Sequence, residues 1–110
     1  MDARTLSFEI LLEFEDSKRW LRNVRNDYFG VKRPPRLECE RTTVLTNEVV
    51  KWKRLLDTII NTNLHKPSAK LKFPVRNLLR LGVYELLIDE SSPDYAVVDS
   101  YVKLSRRNIG

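Results

Sequence analysis

The chain has 110 residues, of which 20 are Lys or Arg and 15 are Asp or Glu, so its formal net charge is +5. This length indicates one domain with its own core, and the basic charge favours a polyanionic partner. The single Cys39 excludes an internal disulfide, and no apolar run approaches the ~18 residues of a membrane span, so we expect a cytoplasmic protein without a membrane segment.

The first predicted helix is acidic. Asp2 is a suitable N-cap for a helix that ends near Glu15, and Leu6, Ile10 and Phe14 recur at four-residue intervals on one face. We expect that face to be buried. The carboxylates expected in water are those of Glu9, Glu13 and Asp16.

The second predicted helix is amphipathic and basic. Ser17 is its expected N-cap, and the helix ends near Tyr28, with Trp20 and Val24 on the packed face. The basic residues that cover the rest of it are Lys18, Arg19, Arg22 and Arg25.

A basic loop and the longest periodic run follow. The segment 30–36, GVKRPPR, contains Pro34 and Pro35, which favour extended backbone. From about Glu38 to Asn61, apolar residues recur every three or four positions, which predicts one long third helix. Its apolar positions are Leu45, Val49, Trp52, Leu56, Ile59 and Ile60.

The stretch 73–88, FPVRNLLRLGVYELLI, is the predicted central helix. Its apolar side chains point in almost every direction, which is typical of a helix surrounded by protein. Pro74 suits the first helical turn, and Gly82 in the interior indicates close packing.

The last predicted helix begins at Ser92 and Pro93, a cap followed by a first-turn proline. Its inward positions are Ala96, Val97, Tyr101, Val102 and Leu104. No segment alternates with a period of two. The sequence therefore predicts an all-α fold in a single domain, residues 1–110, with about five main helices around a central buried helix.

Residues that could carry catalysis are few. Cys39 and His65 are the only possible thiolate pair, and no supporting motif surrounds them. The sequence contains no glycine-rich phosphate loop and no pair of metal ligands at useful spacing. We therefore predict a protein that is not an enzyme and needs no cofactor or metal.

The pattern favours nucleic-acid binding instead. Basic residues interleaved with Trp20, Tyr28 and Phe29 could neutralise phosphates, and exposed rings could stack on unpaired bases. The alternative is that Trp20 and Tyr28 belong to the core and that the basic face only keeps the protein soluble. The main candidates for phosphate contact are Lys18, Arg19, Arg22, Arg25, Lys32, Arg33 and Arg36. Arg76 and Arg80 are secondary candidates, for which pairing with a carboxylate is the alternative.

Two segments resemble a known family. The segment 75–107, VRNLLRLGVYELLIDESSPDYAVVDSYVKLSRR, resembles the C-terminal half of the NusB-like RNA-binding fold. The shared pattern is R-x-x-L-R-L-G-x-Y-E/Q-L-L, then a proline, then A-x-V-[ND]-x-x-V-x-L-[AS]-[KR]. Upstream, the segment 45–57, LTNEVVKWKRLLD, is similar to the NusB-like domain that begins ribosomal RNA small-subunit cytosine methyltransferases of the B type.

The resemblance implies two small helical bundles sharing the central helix, and a noncatalytic domain that binds RNA, with ribosomal RNA as the expected target. One version acts in transcription antitermination and ribosomal RNA processing with a small ribosomal protein. The other precedes a methyltransferase catalytic domain, and the chain would then be an excerpt. Arg4 is a further secondary candidate, because the first helix of NusB is arginine-rich. The alternative function is a protein-interaction or homodimerisation module without RNA binding.

Overall fold

The computed structural model describes residues 2–64 and 71–109, and the regular elements within these ranges are all helical. The helices are α1 (Ala3–Ser17), α2 (Leu21–Lys32), α3 (Arg36–Lys51), α4 (Lys53–Asn63), α5 (Phe73–Val83) and α6 (Asp94–Asn108). A π-helical segment, Tyr84–Asp89, continues α5. The all-α prediction is confirmed. None of the helices in the described ranges combines the length and apolarity needed to cross a lipid bilayer.

The chain divides into two compact units, Met1–Val50 and Lys51–Gly110, here called unit 1 and unit 2. Unit 1 contains α1, α2 and nearly all of α3, and unit 2 contains α4, α5 and α6. The central helix α5 therefore lies within unit 2. The single domain remains a prediction.

In unit 1, α1 and α2 pack through an apolar core. Leu6, Ile10 and Val24 are fully buried, and Tyr28 packs against them. The predicted N-cap is confirmed, because the Asp2 carboxylate accepts a hydrogen bond of 2.8 Å from the Thr5 backbone N–H. A carboxylate from α3 also fixes this end of α1: Glu38 Oε2 accepts a hydrogen bond of 2.8 Å from the Ala3 backbone N–H.

The start of α2 differs from the prediction. Ser17 ends α1 instead of capping α2, and Lys18 follows in a left-handed conformation with φ of 56°. Trp20 then precedes the helix in extended backbone, with 81% of its surface exposed. The prediction that Trp20 packs with Val24 was wrong. Residues share one face of a helix only where the backbone is helical, and the backbone of Trp20 is extended.

The loop after α2 is shorter than predicted. The helix includes Gly30 and continues to Lys32, and Arg33 ends it with φ of 47°. Helix α3 begins directly after the two prolines, at Arg36, two residues before the predicted start. Proline disfavours helical backbone at the preceding residue, so the break falls at the prolines rather than at the glycine.

The predicted long third helix is two helices. The backbone leaves helical geometry at Trp52, with φ of −94° and ψ of 11°, which separates α3 from α4. Upstream of this break, Thr42 and Thr46 are fully buried in α3. Their hydroxyls each donate a hydrogen bond of 2.7 Å to the carbonyl four residues earlier, which satisfies them inside the core.

In unit 2, α5 supplies Leu78 and Leu81 to a core shared with α4 and α6. Pro74 lies in the first turn of α5, as predicted. A Cβ atom built on Gly82 would lie 3.7 Å from Tyr101 Cδ2, an ordinary van der Waals distance. Packing against α6 therefore does not require a glycine at this position.

Two expectations for unit 2 were wrong. Leu87 is 57% exposed and Val102 is 42% exposed, so neither is a core residue. Leu87 follows the change to π-helical winding at Tyr84, after which side chains leave the positions that a continuous α-helix would give them. Helix α6 begins at Asp94 with Pro93 as its N-cap, one residue later than predicted.

Candidate nucleic-acid interface

Basic residues of unit 1 gather at the two ends of α2. We call Lys18, Arg19, Trp20 and Arg22 the N-terminal cluster. We call Lys32, Arg33 and Arg36 the C-terminal cluster. Arg22 and Lys32 both lie in α2 and are ten positions apart, so at a rise of 1.5 Å per residue the clusters are separated by about 15 Å along the helix. A single positive surface formed by the helix and its loop stays a prediction.

The N-terminal cluster combines positive charge with an exposed aromatic ring. Lys18 and Arg22 are exposed, and neither forms an ion pair within residues 2–64 and 71–109. Arg19 Nη2 lies 2.6 Å from Asp27 Oδ2, in a pair that water reaches on both sides. The ring of Trp20 is exposed and directly follows Lys18 and Arg19 in the chain, so it could stack on an unpaired base.

The C-terminal cluster is also exposed. Lys32 ends α2, and Arg33 follows in a left-handed conformation. Neither residue has an ion-pair partner in the part of the chain that the structure describes. Arg36 Nε lies 3.0 Å from Glu40 Oε1, but the Arg36 side chain is 93% exposed. Exposed pairs of this kind stabilise a protein by about 0–1 kcal/mol, so a phosphate can compete for the arginine.

Arg25 lies inside unit 1 rather than on the surface. Only 7% of it is exposed. Its Nη1 donates hydrogen bonds to Thr46 Oγ1 at 3.2 Å and to Asn47 Oδ1 at 2.8 Å, which joins α2 to α3. Burial lowers the pKa of Arg25, and the nearby charge of Arg22 lowers it further. This arrangement makes Arg25 a structural residue.

Arg80 and Arg76 lie on α5 in unit 2. Arg80 is buried and forms a two-point ion pair with Asp57 on α4, with Nε to Oδ1 at 2.7 Å and Nη2 to Oδ2 at 2.9 Å. Its guanidinium carbon is 5.7 Å from the centroid of the Phe73 ring, and that of Arg76 is 5.4 Å from the same ring. Arg80 therefore pairs with a carboxylate, which was the alternative to a phosphate contact.

Arg4 is half-buried on α1 and belongs to neither cluster. The arginine-rich first helix of the resemblance thus has no exposed basic face here. Trp20 is the residue that the sequence pattern misplaced, because the Ser17–Lys18 turn puts it before the start of α2.

No catalytic arrangement emerges from the described residues. Cys39 is half-buried, and its Sγ lies 3.5 Å from the Pro34 carbonyl oxygen. His65 lies outside the described residues. No three His, Cys, Asp or Glu side chains within residues 2–64 and 71–109 are grouped so that they could hold a metal ion.

These features define a class: an all-helical protein with exposed basic clusters on one of its two units. Comparison with known proteins then gives the family. A family profile described as NusB family matches residues 1–110. The chain belongs to the NusB family.

Three relatives from Streptomyces share the name transcription antitermination protein NusB. The protein of Streptomyces avermitilis is 33% identical over 116 residues, which cover 94% of this chain and 75% of the relative. Those of Streptomyces coelicolor and Streptomyces griseus are 30% and 28% identical, and each match covers 94% of this chain and 76% of the relative. No solved structure matched the chain.

Proposed function

We propose that the chain is a noncatalytic RNA-binding protein that acts in transcription antitermination, with ribosomal RNA as its target. The relatives named as transcription antitermination proteins support this role. The single observation that carries it is that exposed cations without ion-pair partners among the described residues lie at both ends of α2, two at each end: Lys18, Arg22, Lys32 and Arg33.

Binding would be driven by charge neutralisation. Each cation that meets a phosphate releases counterions from the RNA, so affinity falls as the salt concentration rises. Arg19 and Arg36 would join the contact when a phosphate replaces Asp27 and Glu40, because both ion pairs are exposed. Arg25 would act indirectly, by joining α2 to α3 in unit 1, whereas Arg80 joins α5 to α4 in unit 2, which carries neither cluster.

Matched double variants test this proposal. Lys18→Ala with Arg22→Ala, and Lys32→Ala with Arg33→Ala, should each weaken binding of a single-stranded ribosomal RNA fragment. The control is Lys53→Ala with Arg54→Ala, which removes the same charge from exposed positions on α4. We expect each cluster variant to lower affinity at least tenfold and the control to lower it less than threefold. Equal losses in all three variants would show that only net charge matters and would contradict the site.

Further details of the role rest on the resemblance. A small ribosomal protein as the partner and a cytoplasmic location stay predictions. A methyltransferase module is predicted by the segment 45–57 alone, and the relatives carry a different name. A cofactor-binding domain encoded in the same reading frame would support that version.

A further inference from the structure

Two asparagines of α2 have side chains that the fold leaves to solvent. Asn23 and Asn26 are exposed, and neither side-chain amide forms a hydrogen bond within residues 2–64 and 71–109. The other asparagines in these ranges all have an interaction partner: Asn47, Asn61, Asn63, Asn77 and Asn108. The amides of Asn23 and Asn26 are therefore available to a ligand.

These two amides lie between the two cationic clusters. Asn26 follows Arg22 by four residues and precedes Lys32 by six in the same helix, which places it about 6 Å from Arg22 and about 9 Å from Lys32 along the axis. Asn23 lies one turn before Asn26 and Gly30 one turn after it, on one exposed face. A Cβ atom on Gly30 would meet nothing within 4 Å. This face is therefore open to a strand that both clusters hold.

The chemistry of a side-chain amide indicates which base it pairs with. The amide presents one acceptor, Oδ1, beside the donor hydrogens of Nδ2. Adenine presents the complementary pair twice, because its N6 amino group lies between N7 on the Hoogsteen edge and N1 on the Watson–Crick edge, and both edges are accessible in unpaired RNA. On these two edges, guanine, cytosine and uracil each present such a pair only once. The amides therefore favour adenine.

The carboxylate of Asp27 acts in the same direction. Asp27 follows Asn23 by four residues on the same side of α2, and its side chain is 63% exposed. An ionised carboxylate only accepts hydrogen bonds, so it attracts the amino groups of adenine and cytosine and repels the carbonyl oxygens of guanine and uracil. Adenine alone satisfies both the amides and the carboxylate at either edge.

We propose that Asn23 and Asn26 read the bases of the bound RNA and select adenine, while the clusters at the two ends of α2 hold the phosphates. This inference rests on the proposed function, because the amides meet a base only when a strand spans α2. The two asparagines are specificity residues, and they add little to the affinity for a strand without adenine.

The test measures binding of labelled single strands of about twelve nucleotides, within the usual site sizes of single-strand binders, by fluorescence anisotropy. One strand is all uridine, and a second has adenosines at its centre. A third has purine riboside there, which keeps the purine ring for stacking but lacks the amino group. We expect the adenosine strand to bind at least about fivefold more tightly than the purine-riboside strand. Asn23→Ala with Asn26→Ala should reduce this preference to less than twofold and leave affinity for the uridine strand unchanged.

The matched control is Asn61→Ala with Asn63→Ala, which removes two exposed amides from α4 and should keep the preference. Alanine is a better helix former than asparagine, so both variants should fold, and circular dichroism verifies this. Equal binding of the adenosine and purine-riboside strands by the unmodified chain would overturn this inference, as would a preference that survives in Asn23→Ala with Asn26→Ala. In both cases salt-dependent binding of the uridine strand would still support the proposed function. A chain that binds none of the strands would overturn both.

Discussion

The side chain of Trp20 is exposed between Lys18 and Arg22, at the point where the chain enters α2. A large ring in solvent contributes nothing to the core, but it offers a flat apolar face within two residues of Lys18 and Arg22 in the chain. Stacking of a base on an aromatic ring contributes about 1–3 kcal/mol and does not depend on the base. We interpret Trp20 as a stacking residue of the proposed RNA site.

Replacing Trp20 separates stacking from charge. Trp20→Ala should weaken binding of single-stranded RNA by about 1–3 kcal/mol and leave the salt dependence unchanged, because no cation is lost. Trp20→Phe should retain much of the affinity but remove most of the fluorescence quenching that RNA causes. Full affinity in Trp20→Ala would show that the ring does not contact RNA.

Arg25 and Arg22 lie three residues apart and should behave in opposite ways. Arg25→Ala should destabilise the fold by about 1.5–3 kcal/mol, because hydrogen bonds from a charged group inside unit 1 are lost. Arg22→Ala should change stability by less than about 0.5 kcal/mol but weaken RNA binding. Urea unfolding and RNA titration of both variants provide the measurement. An Arg25→Ala protein that keeps its stability but binds RNA much more weakly would contradict the structural role of Arg25.

Tyr28 gives unit 1 a pH dependence in the alkaline range. Burial raises its pKa above the usual 10.0, and the carboxylates of Glu9 and Glu13 raise it further. A group whose folded pKa is raised stabilises the fold below its unfolded pKa, and this contribution is lost as the pH rises through the folded pKa. Tyr28→Phe should therefore lose less stability than the unmodified chain between pH 9 and 11, measured by urea unfolding. If both proteins lose the same stability over this pH range, Tyr28 does not cause the pH dependence.

At the scale of helices, the sequence predicted the presence of each helix better than the residues at which it begins and ends. Asp2 and Pro34 act through local backbone chemistry, so the start of α1 and the break before α3 were visible in the sequence. The break at Trp52 has no such signal, because neither glycine nor proline stands nearby. The sequence contains no signal for the π-helical winding after Val83 either, since the residues of this segment are ordinary helix formers. Neither feature can therefore be predicted from local sequence signals.

Gly30 provides a prediction at this scale. It lies in the interior of α2, and a Cβ atom there would meet nothing within 4 Å. Gly30→Ala should therefore stabilise the protein by about 0.5–1 kcal/mol, because alanine loses less backbone entropy in a helix. Thermal unfolding provides the measurement. A destabilised variant would show that this residue is not helical and that the predicted loop begins at the glycine.

Across the whole molecule, net charge was a poor guide to which cations face solvent. The sequence nominated ten basic residues, and it could not distinguish Arg22 from Arg25, because both occupy a basic helix face. Burial and partners separate them: Arg25 and Arg80 are held inside their units, whereas Lys18, Arg22, Lys32 and Arg33 are exposed. Only coordinates provide that distinction, since it depends on which helix packs on which.

The salt dependence of RNA affinity tests the central claim most directly. A cation that contacts a phosphate of single-stranded RNA adds about 0.7 to the slope of log affinity against log salt. Replacing Lys18, Arg22, Lys32 and Arg33 together by alanine should therefore reduce the slope by about 2.8, with the helical content unchanged. An unchanged slope would contradict the account, because these four cations would then touch no phosphate.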